Sequence, residues 1–261
     1  MKRQFKRFLI GADLHCGHRV GLTPPKYQSQ IKGKKYHKIQ VECWEWYCKK
    51  LDELKPIDIF CVNGDLIDGT GDRSGGTELI TTDMREQREM SVECIKKAHA
   101  ETVLITRGTP FHVSPAGQDA EDDIGKEVKA KKVEDHGWYN INGVVFDVKH
   151  NVGSTSVPYS KGTQISKDQI WNLIWADYND QPRARIFIRS HVHYFFHCGD
   201  TQWLGVTTPA LMAMGSKYGA RRCVQHIDFG LVHFDVYKDG SYTWMPHIIP
   251  VQAQKALAVK L

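Results

Sequence analysis

Residues 5 to 15 read Phe-Lys-Arg-Phe-Leu-Ile-Gly-Ala-Asp-Leu-His, an apolar run that ends directly in an aspartate and a histidine. The stretch Phe8 to Ala12 is too short for a secretory signal segment, and a buried strand explains it better. Such a strand delivers the metal-binding side chains of Asp13 and His15 to its carboxyl end. In an α/β fold, ligands bind at that edge of the sheet.

The same arrangement, a predicted strand followed by aspartate or histidine, recurs along the chain. The later stretches are Gly64-Asp65-Leu-Ile-Asp68, Gly108-Thr109-Pro-Phe-His112, His150 and His191-Val-His193. Because all five stretches follow strands, we expect them to meet at one edge and to form one site.

Aspartate and histidine side chains together indicate which metals such a site would take. Carboxylates and imidazoles suit Mn²⁺, Fe²⁺, Zn²⁺ or Ni²⁺, whereas oxygen ligands alone would suggest Mg²⁺ or Ca²⁺. Asp65, at the tight Gly64 turn, is placed to bridge two ions. Two ions about 4 Å apart lower the pKa of a shared water and favour the hydrolysis of phosphate esters.

Strands and helices alternate in the order strand, helix, strand, helix, strand, which is typical of an α/β fold. Periodicity predicts helices at Ile39 to Leu54, Thr82 to Ala100 and Ser166 to Ala176. The predicted strands are Phe5 to Ala12, Ile57 to Asn63, Thr102 to Arg107, Val144 to Lys149, Arg185 to Arg189, Leu231 to Tyr237 and Tyr242 to Ile249. The last two are expected to form an antiparallel hairpin.

Three long polar loops are predicted between these elements. They cover Arg19 to Gly33, Gly69 to Thr81 and Ser114 to His136. We interpret the second as a mobile rim over the metal site, since it lacks the Gly-x-x-x-x-Gly-Lys-Ser/Thr pattern of a nucleotide loop. Trp171 and Trp175 are expected to be core or loop anchors.

The composition is that of an ordinary soluble globular protein of 261 residues, 41% hydrophobic and 25% charged. No apolar run approaches the roughly 18 residues that span a membrane, so no membrane partner is expected. Seven cysteines form no Cys-x-x-Cys pair, which predicts reduced thiols and a cytoplasmic protein. We expect a single domain, residues 1–261, with long active-site loops.

The net charge of +5 is mild. Basic residues cluster at Lys126, Lys129, Lys131 and Lys132, and in the pair Arg221-Arg222. A basic face can attract a polyanion such as nucleic acid. It can equally be a solvated surface, and the charge alone does not decide between the two.

The five stretches resemble the motifs of the calcineurin-like metallophosphoesterase family. The family pattern is Asp-x-His, Gly-Asp-x-x-Asp, Gly-Asn-His-Asp/Glu, a lone His, and Gly-His-x-His. The stretches follow the same order between positions 13 and 193, with Ser190 in place of the last glycine. The resemblance implies a four-layer α/β/β/α sandwich, in which helices flank two sheets. It also implies a phosphoesterase that hydrolyses its substrate with a metal-activated hydroxide.

The resemblance further implies the ligands of two divalent ions, with Mn²⁺ favoured over Ni²⁺, Fe²⁺, Zn²⁺ or Mg²⁺. The ligands form two groups that share one carboxylate: Asp13, His15, Asp65 and His193 for one ion, and Asp65, His150, His191 and a residue of the third block for the other. Asp68 is expected to orient a ligand or the general acid.

The third block, Gly108 to His112, departs from the family pattern because it lacks the metal-binding Asn and the His beside it. Thr109 falls at the Asn position, where its hydroxyl is a weaker neutral ligand or holds a water instead. His112 either protonates the leaving oxygen as a general acid or ligates metal directly. We favour Thr109 beside the second metal and His112 as the acid.

Residues 13 to 25 and the Gly-Thr-x-x-His variant also resemble uncharacterised family members carried by bacteriophages and prophages. This likeness and the mild basicity favour a phosphodiesterase or nuclease. The alternatives are a phosphomonoesterase acting on a phosphoprotein or small metabolite, and a catalytically weak metal-binding scaffold. The sequence does not decide the substrate, the native metal or the oligomeric state.

Several polar residues beside the five stretches have two interpretations. His18 and His197 either contact substrate phosphate or hydrogen-bond a loop. Arg107 and Arg189 either form structural ion pairs or bind phosphate. Asn63, directly before Gly64, is interpreted as a turn residue.

Overall fold

The computed structural model describes residues 3–28, 35–71, 75–113, 119–155, 157–215, 226–251 and 258–259. Strands and helices alternate along these residues, as the sequence predicts. In chain order they are β1 (Phe5–Gly11), α1 (Lys35–Leu54), β2 (Ile59–Asn63), α2 (Met84–Lys97), β3 (Thr102–Thr106), α3 (Pro110–Val113), α4 (Ala120–Glu127), β4 (Lys132–Glu134), β5 (His136–Ile141), β6 (Val144–Lys149), α5 (Lys161–Asp177), β7 (Ile186–Arg189), β8 (Phe196–Gly199), β9 (Leu204–Thr207), β10 (Phe229–Tyr237) and β11 (Tyr242–Ile249).

The strands form two mixed sheets. The first has the order β11-β10-β1-β2-β3-β4, and the second has the order β5-β6-β7-β9-β8. In the first sheet β1 to β4 are parallel, while β10 and β11 form the predicted antiparallel hairpin. In the second sheet β6, β7 and β9 are parallel. The parallel strands of both sheets therefore present their carboxyl ends to connecting loops.

Alternating side chains of the first sheet fill two separate cores. Leu9 and Val62 face helices α1, α2 and α4, whereas Ile10 and Cys61 face the second sheet. On the outer side of the second sheet, β7 packs against Ile165 of α5. The layers are therefore helix, sheet, sheet, helix, which confirms the predicted α/β class and the four-layer α/β/β/α sandwich.

Helix α1 shows why the sequence pattern was informative. Ile39, Cys43, Tyr47 and Leu51 recur every four residues and are all buried, so they form one continuous stripe against β1 and β2. The helix ends at Leu54, before the predicted stop at Lys55-Pro56.

The loop predicted over Ser114 to His136 was wrong for its described part. Residues 119–136 contain helix α4 and strand β4, and residues 114–118 lie outside the described residues. Ile124 is fully buried and anchors α4, although most of the segment is polar. Acidic residues in the first turn of α4 favour the helix because their negative charge interacts favourably with the positive N-terminal end of the helix dipole. The segment is therefore helical despite its few apolar residues.

The prediction that Trp171 and Trp175 are core or loop anchors was also wrong. Their exposed fractions are 50% and 42%, because the buried face of α5 consists of Ile165 and Asn172. The Asn172 amide hydrogen-bonds the backbone of Pro182 and Ala184. This polar anchor turns the face that carries the tryptophans toward solvent.

The remaining surface features concern charge and membranes. Within the described residues, we find no helix with the length and apolar character needed to cross a bilayer. Lys126, Lys129, Lys131 and Lys132 are all exposed on or beside α4 and β4. The Arg221-Arg222 pair lies outside the described residues.

Candidate metal centre

The five stretches converge at the carboxyl ends of five strands drawn from both sheets. The strands and the residues that follow them are β1 with Asp13 and His15, β2 with Asp65 and Asp68, β3 with Thr109 and His112, β6 with His150, and β7 with His191 and His193. The expectation of one shared edge is therefore met, with the first sheet supplying three stretches and the second sheet two.

Five of these residues have a backbone conformation that L-residues rarely adopt. The φ angles are 53° at Asp13, 43° at His15, 49° at Asp65, 70° at His191 and 58° at His193. Left-handed conformations of non-glycine residues cost energy, and they cluster at functional sites. Here they turn the chain sharply at the strand ends, so the side chains point at one another.

Backbone hydrogen bonds hold these turns together. The Asp13 N–H donates to the Gly64 carbonyl at 3.0 Å, and the His15 N–H donates to the Asp65 carbonyl at 3.0 Å. Gly64 itself has φ 80°, and a Cβ there would overlap the ring of His150. Glycine is needed at this turn because the imidazole packs directly on the backbone.

The first group of candidate ligands consists of Asp13, His15 and His193, whose ligand atoms all lie within 4.8 Å of one another. Nε2 of His193 is 3.2 Å from Oδ1 of Asp13 and 3.2 Å from Nε2 of His15. One carboxylate oxygen and two imidazole nitrogens thus face a common point, as the ligands of a transition metal do.

The second group consists of Asp65, His150 and His191, again within 4.8 Å. Oδ2 of Asp65 is 3.2 Å from Nε2 of His150 and 3.9 Å from Nε2 of His15. Asp65 therefore lies between the two groups, the position expected of a bridging carboxylate.

Hydrogen bonds at the far side of two imidazole rings fix which nitrogen faces the site. Nδ1 of His150 donates to the Asn63 carbonyl at 2.6 Å, and Nδ1 of His15 donates to Oδ1 of Asp68 at 2.9 Å. Each bond leaves Nε2 unprotonated in the neutral ring and directed at the candidate centre. Metal-binding histidines are oriented in this way by carbonyl or carboxylate partners.

Two buried atoms support the fit of a cation. Oδ1 of Asp13 and Nε2 of His150 have no hydrogen-bond partner among the described residues. Buried polar atoms without a partner are rare because they have lost their hydration, and each needs an explanation. A divalent ion would satisfy both atoms, so the donor set and its orphaned atoms fit metal binding.

The charges within the site are strongly coupled. Burial alone raises the pKa of the Asp65 carboxyl, but the nearby His150 and His15 hold that pKa below its usual range. Burial alone lowers the pKa of His150, but Asp65 and Asp13 outweigh burial and raise it to about 10. The candidate site therefore stabilises a positive charge between the two carboxylates.

Thr109 reaches the second group, although it belongs to the altered block. Its N–H donates to Oδ1 of Asp65 at 2.5 Å, and its hydroxyl lies 3.2 Å from Oδ2 of Asp65. The same hydroxyl is 3.2 Å from Nδ1 of His191. The residue at the family's Asn position therefore touches both the bridging carboxylate and a histidine of the second group.

His112 lies on the side of the first group. Its ring packs edge-to-face on His15 at 4.8 Å, and its Nδ1 lies 3.1 Å from the Asp68 carbonyl and 3.6 Å from Oδ1 of Asp68. His15, Asp68 and His112 form a third set of candidate ligand atoms within 4.8 Å. Burial and the neighbouring His15 lower the pKa of His112.

The two arginines beside the ligand stretches form ion pairs within the protein. Arg107 lies 2.7 Å from Asp122. Arg189 is 1% exposed and contacts Asp147 and Asp168, each at 2.7 Å. Of the two interpretations offered by the sequence, the structural ion pair describes these contacts.

The two histidines with open interpretations differ in their surroundings. His18 is buried, its Nδ1 accepts from the Val20 N–H at 3.2 Å, and burial lowers its pKa to about 4. His197 is exposed and packs against the ring of Trp244. Of the two interpretations of His18, the hydrogen bond within a loop therefore describes its contact.

Asn63 is more than a turn residue. Its amide donates to Oγ of Ser190 at 2.7 Å, and its Oδ1 accepts from the hydroxyl of Thr106. Ser190 in turn lies 2.7 Å from the Thr208 hydroxyl. The serine that replaces the family's glycine therefore completes a buried polar link between the two sheets, immediately behind the candidate centre.

Glu121 is a site-adjacent residue that the sequence did not reveal. It is fully buried, and its Oε1 accepts from the Gly108 N–H at 3.3 Å. In the sequence it is one of three consecutive acidic residues, Glu121 to Asp123, and nothing there distinguishes it from its two half-buried neighbours.

Comparisons with known proteins concern the fold alone. No protein-family model and no curated protein matches the chain. Vacuolar Protein Sorting 29 from Cryptosporidium parvum has 10% identity and a TM-score of 0.49, covering 95% of this chain and 100% of that chain. Wild-type Vps29 from Entamoeba histolytica, complexed with Zn²⁺, has 11% identity and a TM-score of 0.47, covering 93% of this chain and 98% of that chain.

An archaeal phosphodiesterase has 9% identity and a TM-score of 0.48, covering 92% of this chain and 99% of that chain. Identities and TM-scores this low do not indicate a shared activity. The strand order and the layers described above establish the fold.

Proposed function

We propose that this chain is a metal-dependent phosphoesterase with a dinuclear centre, acting on phosphodiesters such as nucleic acid. The observation that carries the proposal is the pair of Asp/His groups joined by Asp65, with the Nε2 atoms of His15 and His150 held toward them. The motif resemblance to calcineurin-like metallophosphoesterases of the phage type supports it. We further propose that residues 1–261 act as one domain.

The ligands proposed for the two ions follow from these groups. They are Asp13, His15, Asp65 and His193 for one ion, and Asp65, Thr109, His150 and His191 for the other. We propose Mn²⁺ as the native metal, since carboxylate and imidazole ligands together suit it. When bound, two such ions polarise a phosphate ester and lower the pKa of the water that attacks it.

The proton needed by the leaving oxygen is assigned to His112. Its Nδ1 donates to the Asp68 carbonyl, so Nε2 gives a proton to the leaving group only when the ring is doubly protonated, and His112 then returns to the neutral form. Asp68 contacts both His112 and His15, and it therefore orients the acid and one ligand together. These contacts support the proposed roles of both residues.

The test uses metal-stripped protein reloaded with Mn²⁺, Ni²⁺, Zn²⁺ or Mg²⁺. Bis-p-nitrophenyl phosphate, p-nitrophenyl phosphate, and single- and double-stranded DNA are compared as substrates, with Asp65→Asn as the matched control. We expect turnover that depends on the metal and is faster for diesters. Faster monoester cleavage would contradict the diesterase assignment and favour a phosphomonoesterase.

A metal-binding scaffold is the second candidate, and one observation favours it. Thr109 offers a neutral hydroxyl where the family places an amide, so the second group has a weaker donor set. Tight binding of two ions without turnover of any substrate would support the scaffold over the enzyme.

A further inference from the structure

Glu121 is a carboxyl buried at 0% exposure, outside the proposed ligand set. Among the described residues, only one of its oxygens has a hydrogen-bond partner: Oε1 accepts from the Gly108 N–H, while Oε2 is buried without a partner. Burying an ionisable group is costly unless it is compensated. Its one hydrogen bond goes to Gly108, the first residue of the altered third block, which points to a role for Glu121 there.

Gly108 is wedged between Glu121 and Asp65. A Cβ at Gly108 would overlap the backbone nitrogen and Oδ1 of Asp65, so only glycine fits there. The next residue, Thr109, donates its N–H to the same Oδ1. A chain of contacts therefore runs from Glu121 through the Gly108 amide to Thr109 and the bridging carboxylate.

Residues at the start of α4 also form ion pairs with Arg107, the residue before Gly108. Arg107 contacts Asp122 at 2.7 Å and Asp119 at 3.5 Å. These ion pairs are partly exposed and hold the strand end to the helix. Among the described residues of α4, only Glu121 hydrogen-bonds the backbone of the third block.

Burial, followed by the charge of Asp65, raises the pKa of Glu121 to about 8. The carboxyl is therefore mostly uncharged at neutral pH. An uncharged acceptor can hold the Gly108 amide without adding a second negative charge near Asp65.

We propose that Glu121 is a positioning residue that accepts a hydrogen bond from the Gly108 amide, keeps Thr109 on Asp65 and His191, and thereby raises the affinity of the second metal position. The inference rests on the proposed function. In this proposal α4 supplies no metal ligand itself. It compensates for the weak Thr109 donor by holding the third block in place.

The experiment compares Glu121→Met with Glu121→Gln in metal-free protein titrated with Mn²⁺ by calorimetry. Methionine fills a similar volume but cannot accept from Gly108, whereas glutamine keeps a neutral acceptor oxygen. We expect methionine to weaken the second binding event by about 10-fold or more and to leave the first unchanged, as for other partners that orient ligands. Glutamine should restore wild-type binding. Glu127→Gln, at the exposed end of α4, is the control and should bind both ions normally.

A second measurement separates positioning from general stability. Replacing a buried carboxyl by an apolar side chain of similar volume should leave the protein folded and no less stable. Weaker metal binding in a stable Glu121→Met variant therefore supports positioning. Wild-type affinity in that variant would overturn the proposal, as would a Glu121→Gln variant that binds as weakly as the methionine variant.

Amide hydrogen exchange at Gly108 measures its hydrogen bond to Glu121 in metal-free protein. We expect faster exchange in Glu121→Met than in Glu121→Gln, and equal rates would overturn the positioning role. Wild-type protein that binds no ion but shows this exchange difference would refute the proposed function while the Gly108 contact stands, so the two failures are distinguishable.

Discussion

Oδ2 of Asp65 lies 3.2 Å from Nε2 of His150 in a fully buried environment. Asp65 follows β2 of the first sheet, and His150 follows β6 of the second, so this contact joins the two halves of the sandwich. In the proposed function, a carboxylate that bridges two ions at this junction would make metal binding depend on how the two sheets pack.

Asp65→Asn should remove the proposed bridge while preserving shape. The amide oxygen can still accept from the Thr109 N–H, but the negative charge between His15 and His150 is lost. We expect Mn²⁺ affinity, measured by calorimetry, to fall by more than the roughly 10- to 100-fold seen when only a ligand's partner is removed. Asp52→Asn, on the exposed surface of α1, is the control. Two ions bound at wild-type affinity would contradict the bridging role.

Thr109→Val should weaken the second metal position selectively. Valine has the same shape and keeps the backbone N–H bond to Asp65, but it loses the hydroxyl contacts with Asp65 and His191. One lost hydrogen bond of about 1 kcal/mol corresponds to a reduction in affinity of about 5-fold. Thr109→Asn, which supplies an amide oxygen, should increase affinity. The opposite order of the two variants in a Mn²⁺ titration would place Thr109 outside the metal centre.

His112→Ala should reduce the rate of hydrolysis most for substrates with the poorest leaving groups. Loss of a general acid typically costs about 10²- to 10⁴-fold, and p-nitrophenolate needs the proton least. We therefore expect a much larger loss of kcat with DNA than with bis-p-nitrophenyl phosphate, at unchanged metal content. His99→Ala, at an exposed position, is the control. Loss of an ion in elemental analysis would instead identify His112 as a ligand.

Glu121 should give the metal-free protein a distinctive pH dependence. Its pKa is about 8 in the folded protein and near 4.5 in an unfolded chain. Between these values the folded state keeps a proton that the unfolded state has released, so stability is lost as the pH rises through this window. The slope is on the order of 1.4 kcal/mol per pH unit.

Urea unfolding of chelator-treated wild type and Glu121→Gln from pH 5 to 8.5 measures this effect. The difference in unfolding free energy between the two proteins should grow in favour of glutamine as the pH rises. Parallel curves would show that the carboxyl is not held protonated by the fold.

The sequence by itself predicted the class of fold and the positions of the five stretches. Apolar runs such as Phe8 to Ala12 are local signals, and the four-residue period of α1 from Ile39 to Leu51 is another. Both are determined by which side chains must leave water, so neighbouring residues suffice to predict them. The α/β class and the convergence of the ligand stretches followed from these local patterns.

The tertiary structure alone decided how the two sheets complete the centre. The left-handed turns at Asp13 and His191, and the burial of Asn63 between the sheets, depend on residues far apart in the chain. So does the role proposed for Glu121, which is acidic like its half-buried neighbours and differs from them in being fully buried. Burial and hydrogen-bond partners are properties of packing, and no local pattern of residue types determines them.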